Sequence, residues 1–262
     1  MENGRLYLLF ATRHVIYDES GYRLDGDYFY VYGKGVERMN ICNVKFPEEK
    51  PLSLIISQSM ALTGRKSDAR TLKSSRYPEM EVVVSVNKNL LDFMGDYPTS
   101  MVNDDFMTRW AMYANVPLEP NVQNELLPQF KQILQGMSEK EAVERLLNWV
   151  QTAFVYEYDD IVWGEDRAFF PEETLFYPYC DCEDRSILFT RLVRDLYGLK
   201  CILVYYPGHL ASAVCFTEDV KGDYIDLGHD RYVVCDPTYI GAFIGMTMPG
   251  MDNTKASAII LE

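Results

Sequence analysis

An amphipathic helix in the last third of the chain most constrains how this sequence can fold. Asp181 is a favourable N-cap residue and Gly198 a favourable helix stop, so residues 182–197 are predicted to be helical. The apolar residues between them recur at helical spacing and form one stripe: Ile187, Leu188, Leu192, Val193 and Leu196. The arginines between them are expected to face outward. The helix therefore has one face to bury against another element.

Three strands are predicted after this helix. β-Branched and aromatic residues recur through 199–206, 209–216 and 231–238, and Pro207-Gly208 forms a turn between the first two. Together with the helix, these strands predict an α+β fold in which a helix packs on an antiparallel sheet.

Cys182 occupies the first turn of the predicted helix. The unpaired backbone N–H groups and the helix dipole at this end favour a thiolate over a thiol. We therefore expect a lowered pKa for the Cys182 thiol and faster alkylation than at the other five cysteines. Its backbone N–H is also placed to donate to an oxyanion. These properties make Cys182 the candidate nucleophile.

A thiol nucleophile needs a base, and the predicted strand register supplies one. If the strands at 209–216 and 231–238 pair around Gly222-Asp223, His209 lies directly opposite Asp236. Cross-strand neighbours have Cβ atoms only ~5 Å apart, so the carboxylate can reach the imidazole. The order is then that of a nucleophile, a base and an orienting acid.

The other two histidines suit this role less well. His229 would lie more than ~20 Å along the strand from the acid. His14 belongs to the N-terminal region and has no acid in a comparable position. Ala211 and Ala213 share the predicted face of His209, and their small side chains are expected to leave room for the cysteine-bearing helix. His209 is therefore the predicted base.

Residues from about 138 to 245 resemble the transglutaminase-like superfamily, a papain-like fold of bacterial and eukaryotic thiol enzymes. Three motifs in this order carry the resemblance: Asp181-Cys182-Glu183-Asp184 at a helix start, Gly208-His209 at a strand start, and Cys235-Asp236-Pro237-Thr238 at the end of the next strand. The resemblance implies a papain-like core with Cys182 as nucleophile, His209 as base and Asp236 as orienting acid.

Two regions depart from the family pattern. Cys180 stands where the family often has glycine, and Leu210 and Ala211 follow the histidine where many members have tryptophan. These departures bear on the substrate rather than on the triad. Asp184 is expected to cap the helix and orient the preceding loop. Cys180 and Cys182 with one histidine make a poor zinc site, so no metal or cofactor is expected.

The remaining chain is predicted to divide near residue 100. Residues 1–100 are predicted to form a β-rich N-terminal region, in which the β character runs from residue 5 to about 95. Residues 101–262 are predicted to form the transglutaminase-like domain, and its N-terminal part, 103–153, is predicted to be helical in three pieces. The third piece begins at Ser138 with a capping box.

Residues from Tyr158 to Tyr179 are predicted to form a loop that is dense in acidic and aromatic side chains. Two interpretations stay open: a solvated loop anchored by a few aromatic residues, or a cleft wall that favours basic substrates through charge complementarity. The residues concerned are Asp159, Asp160, Trp163, Glu165, Asp166, Phe169, Phe170, Glu172 and Glu173.

Composition limits the partners and the compartment. The formal net charge is −14 and no lysine- or arginine-rich block occurs, so a nucleic-acid ligand is not expected. The sequence shows neither an apolar run of ~20 residues nor an export signal, although the strand-like run from Arg5 would also fit a segment of a longer exported precursor. The six cysteines are expected to be mostly buried free thiols, which favours a reducing, cytoplasmic compartment.

The predicted function is that of a thiol enzyme acting on a peptide or protein substrate. Cys182 would attack an amide, His209 would relay the proton and Asp236 would hold the imidazole. Hydrolysis of a peptide or isopeptide bond is expected rather than transfer of the acyl group of a protein glutamine to an amine. The alternative is a catalytically silent transglutaminase-like module used for interaction or structure.

Overall fold

The computed structural model describes residues 7–17, 19–31, 48 and 50–262. It is a mixed α/β structure with a curled antiparallel sheet. By their contacts, residues 1–55 and 98–109 form one compact unit, and residues 56–97 and 110–262 form a second. Cys42 lies outside the described residues.

The helices are α1 (Lys88–Gly95), α2 (Thr108–Asn115), α3 (Pro120–Ile133), α4 (Glu139–Ala153), α5 (Asp159–Val162), α6 (Pro171–Phe176) and α7 (Cys182–Tyr197). The strands are β1 (Leu9–Thr12), β2 (His14–Ile16), β3 (Tyr22–Leu24), β4 (Asp27–Val31), β5 (Arg70–Lys73), β6 (Glu81–Val84), β7 (Ser100–Val102), β8 (Val155–Tyr156), β9 (Tyr179–Cys180), β10 (Lys200–Tyr206), β11 (His209–Cys215), β12 (Tyr224–Leu227), β13 (Asp230–Cys235) and β14 (Ser257–Ile260). No helix among the described residues is long and apolar enough to cross a membrane.

The smaller unit contains a three-stranded sheet, β1-β4-β3, and the β2-β7 pair. Asp25 and Gly26 join β3 to β4 with positive φ angles of 53° and 93°, a conformation that glycine adopts without steric cost. His14 is buried here, with its Nδ1 3.2 Å from Ser100 Oγ and its Nε2 accepting the Leu54 N–H. The histidine therefore serves this unit's own packing.

The division into units differs from the predicted one at residue 100. Strands β5 and β6 and helix α1 pack with the C-terminal part of the chain. Leu72 and Val82 are buried in the same core as Leu146, and the Trp149 indole N–H donates to the Leu72 carbonyl at 3.2 Å. Helix α1 also shows that the end of the predicted β-rich region is helical. Asn87 caps it by accepting the Asn89 N–H.

The main sheet is five-stranded and antiparallel, with the order β12-β13-β11-β10-β14. β11 and β13 are neighbours, as predicted, but Ser212 pairs with Cys235, which shifts the register by two residues from the expected one. The segment after Gly222 forms β12 instead of a direct turn, and β12 and β13 make the hairpin. Because side chains alternate with a period of two, this shift leaves His209 and Asp236 on one face.

Helix α7 begins at Cys182 and ends at Tyr197, as predicted, with Gly198 in the left-handed conformation at φ 66°. Its Leu188 and Leu192 belong to the larger core, together with Val214 and Val233 of the sheet.

The expectation that Ala211 and Ala213 make room for α7 is wrong. Both alanines lie in a separate apolar cluster with Ile202, Val204 and Tyr206, on the other face of the curled sheet.

The segment from Tyr158 to Tyr179 is more ordered than the predicted loop. It contains α5 and α6, and Pro171 opens α6, where a missing N–H is tolerated. Phe169 and Phe170 are buried, as are Glu172 and Glu173. The solvated-loop interpretation therefore fits only the stretch around residues 160–166.

Candidate active site

His209 and Asp236 form a buried pair at one end of the main sheet. His209 is the first residue of β11, and its Nε2 lies 2.9 Å from Asp236 Oδ2. Their side chains are only 6% and 2% exposed, so solvent screens the contact weakly. With Nε2 engaged by the acid, Nδ1 is the ring nitrogen left for a reaction partner. The Tyr206 ring is stacked on the imidazole, with the ring centroids 6.2 Å apart.

The carboxylate of Asp236 is fixed by its own loop. Its Oδ1 accepts the backbone N–H groups of Thr238 at 2.8 Å and Tyr239 at 3.1 Å, which leaves Oδ2 for His209. The Gln151 side chain, buried in α4, donates to the Asp236 carbonyl at 3.1 Å and to the Tyr239 carbonyl at 2.9 Å. These bonds set the direction in which the acid meets the imidazole.

The start of α7 is docked beside the histidine through Leu210. The Ser186 hydroxyl donates to the Leu210 carbonyl at 3.0 Å. The Leu210 N–H in turn donates to the Cys182 thiol, which lowers the pKa of that thiol. Because Leu210 directly follows His209 in β11, these two bonds bring the sulfur to the strand end that carries the imidazole.

The resting state of the thiol differs from the expectation. Burial raises the pKa of Cys182 well above its usual value, and the nearby charges of Glu183 and Asp181 raise it further. The thiol donates to Glu183 Oε2 at 3.2 Å, and no hydrogen bond joins it to His209 in the described part of the chain. Desolvation and two neighbouring acids therefore raise the pKa of the thiol more than the helix N-terminus lowers it, so the thiol carries its proton.

Asp184 holds the start of α7 and the segment before it, as expected. This fully buried side chain accepts the Phe169 N–H at 2.8 Å through Oδ1 and the Asp181 N–H at 3.2 Å through Oδ2. Asp159 acts in the same way on the acidic segment and accepts the Arg167 N–H at 2.7 Å.

The acids around the start of α7 are crowded. Burial raises the pKa of Asp181 to about 11, with added repulsion from Asp184 and Glu183. Protons held by these carboxyls relieve the repulsion. Such oxygen atoms are also the ligands that hard divalent cations prefer. Among the residues that the structure describes, three overlapping groups have ligand atoms within 4.8 Å of one another: Asp159, Asp181 and Asp184; Asp159, Asp166 and Glu183; and Asp181, Cys182 and Glu183.

Gln151 was not among the residues predicted for this site, and Arg185 lies in a different environment from the predicted one. Arg185 was expected to face outward, but it is only 1% exposed. Its guanidinium donates to Cys180 Sγ at 3.3 Å and to the carbonyls of Gln151 at 3.2 Å and Phe154 at 3.0 Å. Its position one turn after Cys182, on the same helix face, was the available signal.

The remaining predicted residues take no part in the His209–Asp236 contact. His229 follows Gly228 in the hairpin between β12 and β13, so it is not the partner of Asp236. All described cysteines are free thiols, as expected; Cys180, Cys201 and Cys235 are buried, and Cys215 is partly exposed.

Comparison with known proteins gives no match to a family model or to a curated protein.

Proposed function

We propose that this protein is a thiol enzyme of amide bonds, with Cys182 as nucleophile, His209 as base and Asp236 as orienting acid. One observation carries the proposal: His209 and Asp236 form a buried 2.9 Å contact at the start of β11. The next residue of that strand, Leu210, donates its backbone N–H to the Cys182 thiol at the start of α7. A buried imidazole–carboxylate pair beside a thiol is the arrangement that acyl transfer requires.

The fold we propose is a papain-like, transglutaminase-like core. A cysteine-initiated helix packed on an antiparallel sheet, whose central strand begins with the histidine, supports this assignment. The three motifs that resemble the superfamily coincide with the start of α7, the start of β11 and the end of β13.

The chemistry proceeds through an acyl-enzyme. His209 Nδ1 takes the thiol proton, and the sulfur adds to the amide carbon while the carbonyl electron pair moves to oxygen. Collapse re-forms the carbonyl and breaks the C–N bond, and the imidazolium gives its proton to the leaving amine. Water then adds to the thioester with His209 as base, and the C–S bond breaks to release the acid.

We propose hydrolysis of a peptide or isopeptide bond rather than amine transfer. Transfer needs a channel that admits an amine and excludes water, which is present at ~55 M in bulk. Trp163, the tryptophan nearest the motif in sequence, packs against Phe169 and Tyr177 with centroids 5.6 Å and 4.9 Å away. The exposed acids Asp160 and Glu165 favour a basic substrate.

The test offers a peptide library containing glutamine and isopeptide bonds, with and without a labelled primary amine. We expect release of acid by the wild type, at least about 10³-fold loss in Cys182→Ala and His209→Ala, and full activity in the matched thiol control Cys215→Ser. Amine incorporation that outpaces acid release would replace the hydrolase assignment with transfer.

A silent interaction module is the second candidate, because the Cys182 thiol is bonded to Glu183 and has a raised pKa. This alternative would be established if no library peptide is turned over and Cys182→Ala binds the library peptides as the wild type does.

A further inference from the structure

Tyr156 lies next to the start of the nucleophile helix. It is in β8, which runs parallel to β9 with Tyr156 opposite Cys180, two residues before Cys182. The Glu157 N–H donates to the Cys180 carbonyl at 3.3 Å and extends this pairing. The strand pair therefore carries Tyr156 to the point where the chain enters α7.

The ring of Tyr156 contacts a fixed guanidinium and a second aromatic ring. The Arg185 guanidinium lies over it, 5.3 Å from the centroid, and three hydrogen bonds hold that guanidinium in place. The Tyr158 ring meets it edge-on at 5.5 Å between centroids. Because Arg185 is one turn after Cys182 on the same helix face, a ring stacked on this guanidinium lies beside the start of α7.

The hydroxyl of Tyr156 has donor capacity to spare. It makes no hydrogen bond to any described residue, and the side chain is only partly buried. Burial raises the pKa of Tyr156, and the nearby charges of Cys182 and Asp181 add to this. The hydroxyl thus lies within electrostatic reach of the thiol and keeps its proton at neutral pH.

We infer that Tyr156 is a catalytic residue that donates its hydroxyl hydrogen bond to the oxyanion formed when Cys182 attacks an acyl carbonyl. The inference rests on the proposed function and names the side-chain donor of that site. The second donor is the backbone N–H of Cys182, which is the first residue of α7 and has no partner within the helix. Two donors of this kind stabilise the negative charge that appears only as the S–C bond forms.

Two chemical probes separate this role from an effect on the thiol itself. p-Nitrophenyl acetate acetylates the sulfur through a tetrahedral oxyanion and releases p-nitrophenolate. Iodoacetamide alkylates the same sulfur at a saturated carbon, displaces iodide and forms no oxyanion. A lost oxyanion donor slows only the first reaction, whereas a disturbed thiol slows both.

The experiment compares Tyr156→Phe, which keeps the ring on Arg185, with Tyr158→Phe as the matched control. Mass spectrometry follows acetylation and alkylation of Cys182, and Cys182→Ala gives the background. We expect Tyr156→Phe to acetylate about 10²-fold more slowly or worse, with its alkylation rate unchanged. Tyr158→Phe should behave as the wild type in both reactions.

The outcomes also distinguish this inference from the proposed function. If the wild type acetylates and Tyr156→Phe keeps the same rate, or slows equally with both probes, the oxyanion role is overturned while the nucleophile stands. If the wild-type Cys182 alkylates but never acetylates, the proposed function itself fails.

Discussion

At the residue scale, burial keeps the proton on the Cys182 thiol, and the neighbouring acid Glu183 adds to this effect. The thiol donates to the Glu183 carboxylate; Glu183 is buried and Cys182 is partly buried. A nearby negative charge disfavours the thiolate, so the same acid that orients the sulfur also holds its proton.

Replacement of this acid should therefore activate the thiol toward alkylation. Glu183→Gln keeps a hydrogen-bond acceptor but removes the like charge, which lowers the pKa of Cys182. A change of one pKa unit gives about tenfold more thiolate at pH 7–8, and we expect an iodoacetamide rate higher by about that factor. Peptide mapping after brief labelling measures it.

Glu165→Gln is the matched control, since it removes one exposed charge from the acidic segment. Its labelling rate at Cys182 should equal that of the wild type. An unchanged or slower rate in Glu183→Gln would mean that burial and Asp181 hold the proton without Glu183.

At the element scale, the loop that carries Asp236 is fastened to β12 and β13 by a close approach of two glycines. Asp223 N–H donates to the Gly245 carbonyl at 2.9 Å, and Gly245 N–H donates to the Val234 carbonyl at 2.7 Å. A Cβ at Gly222 would lie 2.4 Å from Gly245 Cα, and Gly222 has a φ of +136°. Only glycine permits both the contact and this conformation.

Gly222→Ala should destabilise the protein by more than about 3 kcal/mol, because backbone atoms must separate and the residue is strained. Gly228→Ala is the control: its φ is +73°, but its Cβ would meet no atom within 4 Å. It should cost about 1 kcal/mol. Urea unfolding measures both, and equal losses would show that the close approach is not needed.

At the scale of the whole molecule, Glu172 links two helices from inside the core. The side chain is 1% exposed, and its Oε1 accepts the N–H of Glu119, the N-cap residue of α3, at 2.6 Å. Burial raises the pKa of Glu172 to about 7. The folded state thus retains a proton that the unfolded chain has already lost, so stability falls as pH rises from about 4.5 to about 7.

Glu172→Gln removes this ionisation and keeps the acceptor for Glu119. Relative to the wild type, its free energy of unfolding should rise between pH 4.5 and pH 8, by up to about 3 kcal/mol, and stay level above that range. Urea unfolding at several pH values gives this difference. A variant whose stability tracks the wild type at every pH would show that Glu172 ionises at its ordinary pKa in the core.

The elements of the C-terminal part could be read from the sequence because their signals are local. Asp181 and Gly198 mark the ends of α7, and Ser138 caps α4, each through bonds within one helical turn. The period-two alternation of β11 and β13 also placed His209 and Asp236 on one face. That alternation cannot distinguish registers that differ by two residues.

The strand register, the sheet faces and the environment of Arg185 depend on residues that are far apart in sequence. β12 forms the hairpin with β13, Ala211 lies on the sheet face opposite the core that contains α7, and carbonyls at the end of α4 accept hydrogen bonds from the buried Arg185. The protonation of Cys182 likewise follows from burial and neighbouring acids, not from its place on a helix. Local signals in the sequence were enough to place Cys182 at a helix start and His209 at a strand start, because side-chain type and local hydrogen bonding suffice for that. Their charge states and contacts required the folded chain, since desolvation and long-range packing are properties of the whole core.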